Sequence, residues 1–466
     1  MSELLFSSVR ELSNWLVSRK LSSRELLDAT LAQIDRVNPA LNAVVTLDRE
    51  GAYANADAVD ARRVGGKPTS PLAGLPIAMK DLEPVKGMRT TMGSPILKDW
   101  IPDYDSIMVD RFRSHGLTLL GKTNTPEFGL GSQTFNAVFG ATKNPWDVTK
   151  TCGGSSGGAA VAVASGILPF ADGSDMGGSL RNPANFCGVV GLRPSPGRVP
   201  VYPSLNHWGT LGVVGPIART AEDAAWLLSI QAGDDPRAAI GRCGDPTVFR
   251  EPLDRDFKGT RIAWSPTLGG LPVEPGVREA LQQSLNRFEA IGAIVEEAEP
   301  DLEIADNAFQ VLRALNLINS LGSHYKNHKA LLKDTAVWNI EQGLKLTGAQ
   351  VAEAQAQQSK CFERMQRFLT KYDYFICPVN QVSPFNINTP YPMEIDGTSL
   401  STYLDWMKSA YRITMTSHPA ASAPVAYAAD GMPVGMQIVG HFGCELEVLQ
   451  LVHAVQLPLT ERIAEL

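Results

Sequence analysis

The sequence lacks the features that mark several large classes of protein. Its six cysteines, at positions 152, 187, 243, 361, 377 and 444, form no CxxC pair and no His/Cys cluster, so the common zinc-binding patterns are excluded. Cysteines this sparse in a chain of 466 residues indicate reduced thiols in a reducing compartment. The net charge of −7, with no basic block, predicts that nucleic acid is not a direct partner.

Long apolar runs are also missing. The longest, from Ala159 to Ala171, contains Ser165, Gly166 and Pro169 and is shorter than the about 20 residues that span a bilayer. The N-terminal segment has charged residues and no clean apolar core, which argues against a signal peptide. These absences predict a cytoplasmic protein without a membrane partner.

The sequence does contain alternating strand-like and helix-like segments, and no Pro/Ser-rich linker divides them. This alternation predicts an α/β fold, built as a single large domain over residues 1–466. Strands are predicted within 72–81, 115–129, 258–266, 291–300, 372–381 and 431–440, and helices over Val277–Ala290 and within 302–370. Near the N-terminus, Ser22 and Glu25 have the spacing of a capping box, and Pro39 is expected to end that helix.

One segment repeats a Gly-Gly-Ser triplet, at 153–155 and again at 177–179. Glycine is costly in ordered structure, so paired glycines suggest that something approaches the backbone closely. Three interpretations are open: a phosphate site at a helix N-terminus, glycines that merely permit close packing, or a serine nucleophile beside an oxyanion hole. The segment lacks the phosphate-loop patterns, which weakens the first interpretation.

A serine nucleophile needs a base, and none of the seven histidines lies in a recognisable catalytic context. Lys80 ends the apolar stretch "GLPIAMK", where burial would lower its pKa and let it accept a proton. The alternative is a lysine at a strand end with its ammonium in water. For Lys80 to act as a base, we expect no acidic group close to it.

Together these segments resemble the amidase signature family of Ser–Ser–Lys hydrolases. "GLPIAMKD", "GGSSGG" and "GSDMGGSLRNPANFCGVVGLRPSPGRVP" carry the resemblance, and further matches such as "GLTLLGKTNTPEFGLGS" and "GMPVGMQIVG" follow in the same order. The resemblance implies a mixed β-sheet with helices on both sides. It also implies hydrolysis of a small-molecule carboxamide to a carboxylic acid and ammonia or an amine, without metal or organic cofactor.

Position by position, the resemblance implies that Ser179 is the nucleophile, Lys80 the general base, and Ser155 the bridging serine that follows a cis peptide bond. Residues Met176, Gly177 and Gly178, with Ser179, match the oxyanion segment, and Gly129 falls in a stretch that lines the substrate pocket. From the residues themselves, we expect Asp175 and Arg181 to form a structural ion pair and Ser156 to cap a helix.

Two departures from the family pattern are Cys152, before "GGSSGG", and Met176, within "SDMGGS". Neither removes a catalytic group, and nothing near Cys152 would lower its pKa. The segment 302–403, and in particular 302–370 and 383–403, is expected to shape a variable substrate pocket. The alternatives are the glutaminase subunit of a tRNA-dependent amidotransferase, and a non-catalytic binding protein on the same fold; a homodimer is also possible.

Overall fold

The polypeptide builds one mixed eight-stranded sheet and a smaller three-stranded sheet. The computed structural model describes residues 2–242 and 244–458. The strands are β1 Val44–Leu47, β2 Pro76–Lys80, β3 Thr118–Thr123, β4 Phe135–Asn136, β5 Gly140–Ala141, β6 Phe170–Asp175, β7 Val190–Arg193, β8 Val213–Ala218, β9 Arg261–Trp264, β10 Ile294–Glu297, β11 Tyr374–Pro378, β12 Glu394–Ile395, β13 Thr398–Ser399, β14 Ala420–Tyr427 and β15 Pro433–Val439.

Helices cover these sheets and form a separate bundle between β10 and β11. They are α1 Ser2–Phe6, α2 Val9–Val17, α3 Ser23–Leu41, α4 Arg49–Val64, α5 Ile107–Ser114, α6 Gly157–Ala164, α7 Arg181–Cys187, α8 Ala221–Gln231, α9 Pro275–Ala290, α10 Ala305–His328, α11 Asp334–Leu344, α12 Gly348–Leu369, α13 Lys408–Met415 and α14 Glu445–Val455. The predicted strands, the helix before β10 and the helical character of 302–370 are all confirmed.

The large sheet draws on distant parts of the chain, as the sequence predicted. Its order is β10-β9-β11-β15-β14-β7-β8-β6, in which β9 pairs in parallel with β10 and β11 and the remaining pairs are antiparallel. The strand that ends at Lys80 belongs to the small sheet instead, where β2 runs parallel to β3. A hydrogen bond of 2.9 Å from the Lys80 backbone N–H to Asp172 Oδ1 of β6 links the two sheets.

The N-terminal helix confirms one prediction and corrects another. In α3 the Ser22 and Glu25 side chains form the expected capping box. However, the helix passes through Pro39 and ends at Leu41, and its C-cap residue Asn42 has a left-handed φ of 53°. Pro39 removes only its own N–H donor, and the helix still closes after it because the Asn42 N–H donates to the Asn38 carbonyl at 2.7 Å.

The helix that follows the first Gly-Gly-Ser triplet is completely buried. All eight residues of α6 are shielded from solvent, which explains why the sequence GGAAVAVA is apolar on every face. A Cβ at Gly158 would lie 2.3 Å from the Asn124 backbone nitrogen, so only glycine permits this packing. The N–H groups of Gly157 and Gly158 already donate to Thr134 and Asn124, and the phosphate-site interpretation is therefore wrong.

Candidate active site

Lys80 is buried among three serine hydroxyls. Its Nζ lies 2.8 Å from Ser155 Oγ, 2.9 Å from Ser156 Oγ and 3.0 Å from Ser174 Oγ. All five residues of β2 are buried, and Lys80 itself is 1% exposed. Its amine therefore does not extend into water, which excludes the alternative of a solvated strand end.

Burial lowers the pKa of Lys80 to about 7, although the nearby Asp172, Asp175 and Glu83 act in the opposite direction. The expectation that no acidic group lies near Lys80 is thus wrong. Asp172 is 1% exposed and accepts the hydrogen bond from the Lys80 backbone N–H. Burial also raises the pKa of Asp172, to about 7, and among the three acids Asp172 acts most strongly to favour the ammonium form of Lys80.

Ser155 lies between Lys80 and the main cavity. The peptide bond between Gly154 and Ser155 is cis, as the resemblance implied. The Ser155 side chain contacts Lys80 and also lines the cavity that contains Ser179. The Ser156 N–H donates to the Ser179 carbonyl at 3.2 Å, so the two Gly-Gly-Ser segments are held directly against each other.

Ser156 does not act as the helix cap that the sequence predicted. It occupies the N-cap position of α6, but its side chain makes no capping hydrogen bond. Its hydroxyl is turned toward Lys80 and accepts a further hydrogen bond, of 3.3 Å, from the Ser174 N–H. Sequence reasoning missed Ser174 altogether, although its place in "GSDMGGS", five residues before Ser179, was a usable signal.

A second buried group, the Asp175 carboxylate, organises the loop that carries Ser179. The expected ion pair with Arg181 is confirmed, at 2.9 Å between Arg181 Nη2 and Asp175 Oδ1. Arg193, which sequence reasoning missed, lies 3.3 Å from the same oxygen, and all three side chains are fully buried. The carboxylate also accepts hydrogen bonds from the N–H groups of Gly178 and Leu180, at 2.9 and 3.1 Å.

The contacts of Asp175 reduce the number of N–H groups in the predicted oxyanion segment that are free to face a substrate oxygen. The N–H of Gly178 is engaged by Asp175, so the expectation that it faces a substrate oxygen is not met. Gly178 instead has a structural reason to be glycine, since its φ is 109° and a Cβ would lie 2.6 Å from Asn182. Within the described part of the chain, the N–H groups of Gly177 and Ser179 donate to no protein acceptor. Met176, Gly177 and Ser179 all line the cavity.

The cavity has a volume of about 610 Å³ and brings together the predicted site residues Ser155, Ser179, Met176, Gly177 and Gly129. Its walls are mixed, with many apolar side chains and a few polar ones. The apolar wall includes Leu82, Phe128, Leu130, Val199, Trp208, Leu211, Phe309, Leu312 and Leu317.

The residues that line the cavity come only in part from the segments 302–370 and 383–403, which were expected to shape it. Helix α10, within 302–370, contributes one side of the cavity, including Phe309 and Arg313. The loop 383–403, which the structure describes throughout, contributes no residue to the lining itself, and its contact with the cavity is indirect, through Tyr403 against Arg313. Residues within 196–214 and 238–240 supply further lining, and although 196–200 end one of the family motifs, nothing in the sequence assigned these residues to the pocket.

The sequence profile of the Amidase family matches residues 25–449. An acylamidase of Rhodococcus erythropolis is 35% identical over 95% of this chain and 93% of its own length. A glutamyl-tRNA(Gln) amidotransferase subunit of Acidothermus cellulolyticus is 34% identical over 100% of this chain and 97% of its own length. The crystal structure of a bacterial aryl acylamidase of the amidase signature enzymes superposes with a TM-score of 0.92, at 30% identity and 98% coverage of both chains.

The chain belongs to the amidase family. It is a hydrolase of amide carbon–nitrogen bonds, so the alternative of a non-catalytic binding protein is set aside. The family fold, with its mixed central sheet, is confirmed.

The cysteines that the structure describes in this amidase are unsuited to nucleophilic catalysis, because burial raises the pKa of each thiol. Burial raises the pKa of Cys152 to about 12, and Cys187 is buried beside it with a pKa well above its ordinary value. Cys243 lies outside the described residues. Over residues 2–242 and 244–458, no group of three His, Cys, Asp or Glu side chains is placed to hold a metal ion. None of the described helices is both long and apolar enough to cross a membrane.

Proposed function

We propose that this amidase forms an acyl-enzyme on Ser179, with Lys80 as the general base and Ser155 as the proton relay. The observation that carries the proposal is the distance of 2.8 Å from Lys80 Nζ to Ser155 Oγ, on the wall of the cavity that also contains Ser179. A lysine whose pKa is lowered to about 7 by burial is substantially neutral at physiological pH and can accept a proton.

The hydroxyl cluster supports this protonation state. A neutral amine has two N–H donors and one lone pair. Among the three oxygens around Nζ, two can accept from the N–H groups while the third hydroxyl donates to the lone pair. Ser156 suits the first task, since its side chain is fully buried. Ser155 and Ser174 both line the cavity that contains Ser179, and we assign the second task to Ser155 because it makes the shorter contact with Nζ, 2.8 Å against 3.0 Å.

The proton then follows a closed cycle. As Ser179 Oγ attacks the carbonyl carbon, its proton passes to Ser155 Oγ while the Ser155 proton passes to Lys80 Nζ. The leaving nitrogen receives a proton back through Ser155 as the carbon–nitrogen bond breaks, which leaves the ester on Ser179. Water, deprotonated by the same relay, then hydrolyses the ester and restores the Ser179 hydroxyl.

Backbone amides stabilise the negative charge that develops on the carbonyl oxygen. We assign this role to the N–H groups of the Met176–Ser179 loop that the described protein leaves free, those of Gly177 and Ser179 foremost. Asp175 does not face the oxyanion as an uncompensated charge, because two buried guanidinium groups surround it.

The apolar wall of the cavity supports an acyl or aryl amide as the substrate class. Phe309, Leu312 and Leu317 of α10 line the same cavity as Phe128 and Leu130, and they offer contact to a hydrocarbon group. A glutaminase subunit of an amidotransferase is the second candidate, since an amidotransferase subunit matches this chain over its whole length at 34% identity. Release of aniline from simple acyl anilides by the isolated chain supports the first candidate; glutamine hydrolysis that requires partner proteins supports the second.

A labelling experiment tests the nucleophile. We expect a fluorophosphonate probe to modify the wild-type enzyme at Ser179, and Ser179→Ala to lose both labelling and anilide hydrolysis. Ser204→Ala is a matched control, because Ser204 lines the same cavity outside the proposed relay. Labelling that persists in Ser179→Ala, or is lost in Ser204→Ala, contradicts the assignment.

A further inference from the structure

In the part of the chain that the structure describes, a single guanidinium, that of Arg313, lines the cavity, and it has no carboxylate partner. Arg313 projects from α10 and is 5% exposed. Its Nη1 donates to Asn339 Oδ1, and the group lies over the Tyr403 ring with 5.5 Å from Cζ to the ring centroid. Asn339 also donates a hydrogen bond of 2.6 Å to the Tyr403 hydroxyl. The cation is therefore fixed in one orientation.

The remaining donors of Arg313 have no acceptor in residues 2–242 and 244–458. Among the described residues, neither Nε nor Nη2 makes a hydrogen bond, and no carboxylate oxygen lies within 4.0 Å of the group. Unlike the corresponding atoms of Arg193, they are not sealed inside the protein. Since the residue is almost fully buried, the space that they contact is the cavity.

Burial of an uncompensated charge is expensive, and proteins normally pair such a group. Arg181 shows the normal case, with Asp175 at 2.9 Å. Arg313 differs because its Nε and Nη2, which form one edge of the planar fork, have no acceptor among the described residues. That edge matches the two oxygens of a carboxylate.

We propose that Arg313 binds a carboxylate carried by the substrate at a distance from the scissile amide. The inference rests on the proposed function, because it assigns a second group of the molecule that Ser179 attacks. The substrate class becomes an amide with an apolar portion, which contacts the α10 wall, and a carboxylate, which neutralises Arg313. The carboxylate belongs either to the acyl portion or to the leaving amine.

The other charged residues near the cavity do not neutralise Arg313. Glu83 also lines the cavity, but it is partly exposed and forms no ion pair with Arg313. Lys333 lies near Arg313, and burial lowers its pKa to about 8, while Glu127 acts in the opposite direction. The Glu127 carboxylate is engaged by the Ser94 hydroxyl at 2.7 Å and the Lys333 backbone N–H at 2.8 Å. Among the described lining residues, Arg313 is thus the arginine left for an incoming anion.

Two matched pairs of anilides test the proposal and separate the two positions of the carboxylate. The acyl arm compares the anilide of glutaric acid with pentananilide, and the amine arm compares N-acetyl-4-aminobenzoate with acetanilide. We expect one acid to exceed its neutral partner in kcat/KM by about ten- to a hundredfold, the range for a hydrogen bond to a charged group. We expect Arg313→Gln to remove most of that ratio, and Arg313→Lys to keep part of it.

Binding provides a readout that does not depend on turnover. Calorimetric titration of the same four anilides into Ser179→Ala should show tighter binding of the preferred acid, and the double variant with Arg313→Gln should lose that difference. Arg278→Gln is the control, since Arg278 is a partly exposed arginine paired with Asp396 at 3.1 Å, outside the cavity. Its ratios should equal those of the wild type.

Equal affinity for acids and neutral anilides overturns the carboxylate site, as does an equal loss for both in Arg313→Gln with a lowered melting temperature. Neutral anilides that are hydrolysed through Ser179 leave the proposed function standing in either case. Loss of fluorophosphonate labelling at Ser179, by contrast, refutes the proposed function and is measured separately.

Discussion

Lys80 and Asp175 are both completely buried, close to the same loop, and yet the protein treats their charges in opposite ways. Burial alone would raise the pKa of Asp175, but Arg181 and Arg193 hold it well below its usual range. Burial lowers the pKa of Lys80 to about 7, and its amine contacts three neutral hydroxyls. Asp175 is therefore permanently charged, whereas Lys80 can change its protonation state near neutral pH.

The two groups have different roles: Asp175 holds the backbone of the loop in place, and Lys80 takes part in the proposed proton transfer. A fully paired ion such as Asp175 fixes geometry, here the N–H groups of Gly178 and Leu180 behind the loop. A group that must exchange a proton cannot be paired in that way, because a neighbouring opposite charge would stabilise one protonation state. Hydroxyls around Lys80 provide hydrogen bonds without fixing its charge.

The largest expected effect comes from removing the proton acceptor at Lys80. We expect Lys80→Arg and Lys80→Ala each to lower kcat/KM by about 10²- to 10⁴-fold, the usual contribution of a proton-transfer group, since guanidinium stays protonated and alanine has no group that can accept the proton. In the wild type, kcat/KM should rise with pH through a midpoint near 7, because protonated Lys80 is inactive and the neutral amine forms above that pH. Both variants should lose this limb.

Initial rates with an anilide from about pH 5 to 9, a range that brackets the Lys80 midpoint, measure both quantities, with circular dichroism to verify folding. Lys86→Arg, at an exposed lysine, is the control. Near-normal turnover in Lys80→Arg would make Lys80 a structural cation and would move the base elsewhere.

The second effect falls on stability. Asp175→Asn leaves two buried guanidinium groups without their anion, and we expect the free energy of unfolding to fall by about 3–5 kcal/mol. Urea denaturation measures the loss. Asp110→Asn is the control, since Asp110 pairs with Arg237 at 2.6 Å on the surface and should change stability by less than about 1 kcal/mol. Equal, small losses in both variants would contradict the structural role assigned to Asp175.

The sequence predicted which residues matter at this site better than it predicted the side chains that surround them. The apolar stretch ending in Lys80 predicted burial correctly because consecutive apolar or strand-forming positions suffice for that inference. The pairing of Asp175 with Arg181 was also predictable, since both flank one short loop. Contacts that depend on distant packing, such as Arg193 with Asp175, had no local signal.

Ser156 shows how a correct local pattern can mislead. A serine before a glycine- and alanine-rich helix has the sequence of an N-cap, and Ser156 does occupy that position. Its hydroxyl contacts Lys80 because the structure places β2 beside the start of α6, which no spacing in the sequence reveals. The cavity walls from 196–214 were unpredictable for the same reason.

Asp172 allows a finer test, because it is a buried acid near Lys80 that forms no ion pair with an arginine of the described chain. Its Oδ1 accepts the Lys80 N–H, and its Oδ2 has no hydrogen-bond partner among the described residues. Asn in this position keeps the acceptor and removes the negative charge that favours the ammonium form of Lys80. We therefore expect Asp172→Asn to lower the pKa of Lys80 and to move the midpoint of the kcat/KM limb to lower pH.

Asp223→Asn is the matched control for this shift. Asp223 is also buried, accepts the Val9 N–H at 2.7 Å, has an Oδ2 without a partner among the described residues, and has a pKa raised by burial to about 6. It does not contact Lys80, so its replacement should leave the midpoint unchanged even if stability changes. A midpoint that moves in both variants, or in neither, would mean that Asp172 does not set the protonation of Lys80. A shift confined to Asp172→Asn would establish that the amidase tunes its base by a buried carboxylate that lacks an arginine partner, while Asp175, fully paired, contributes geometry.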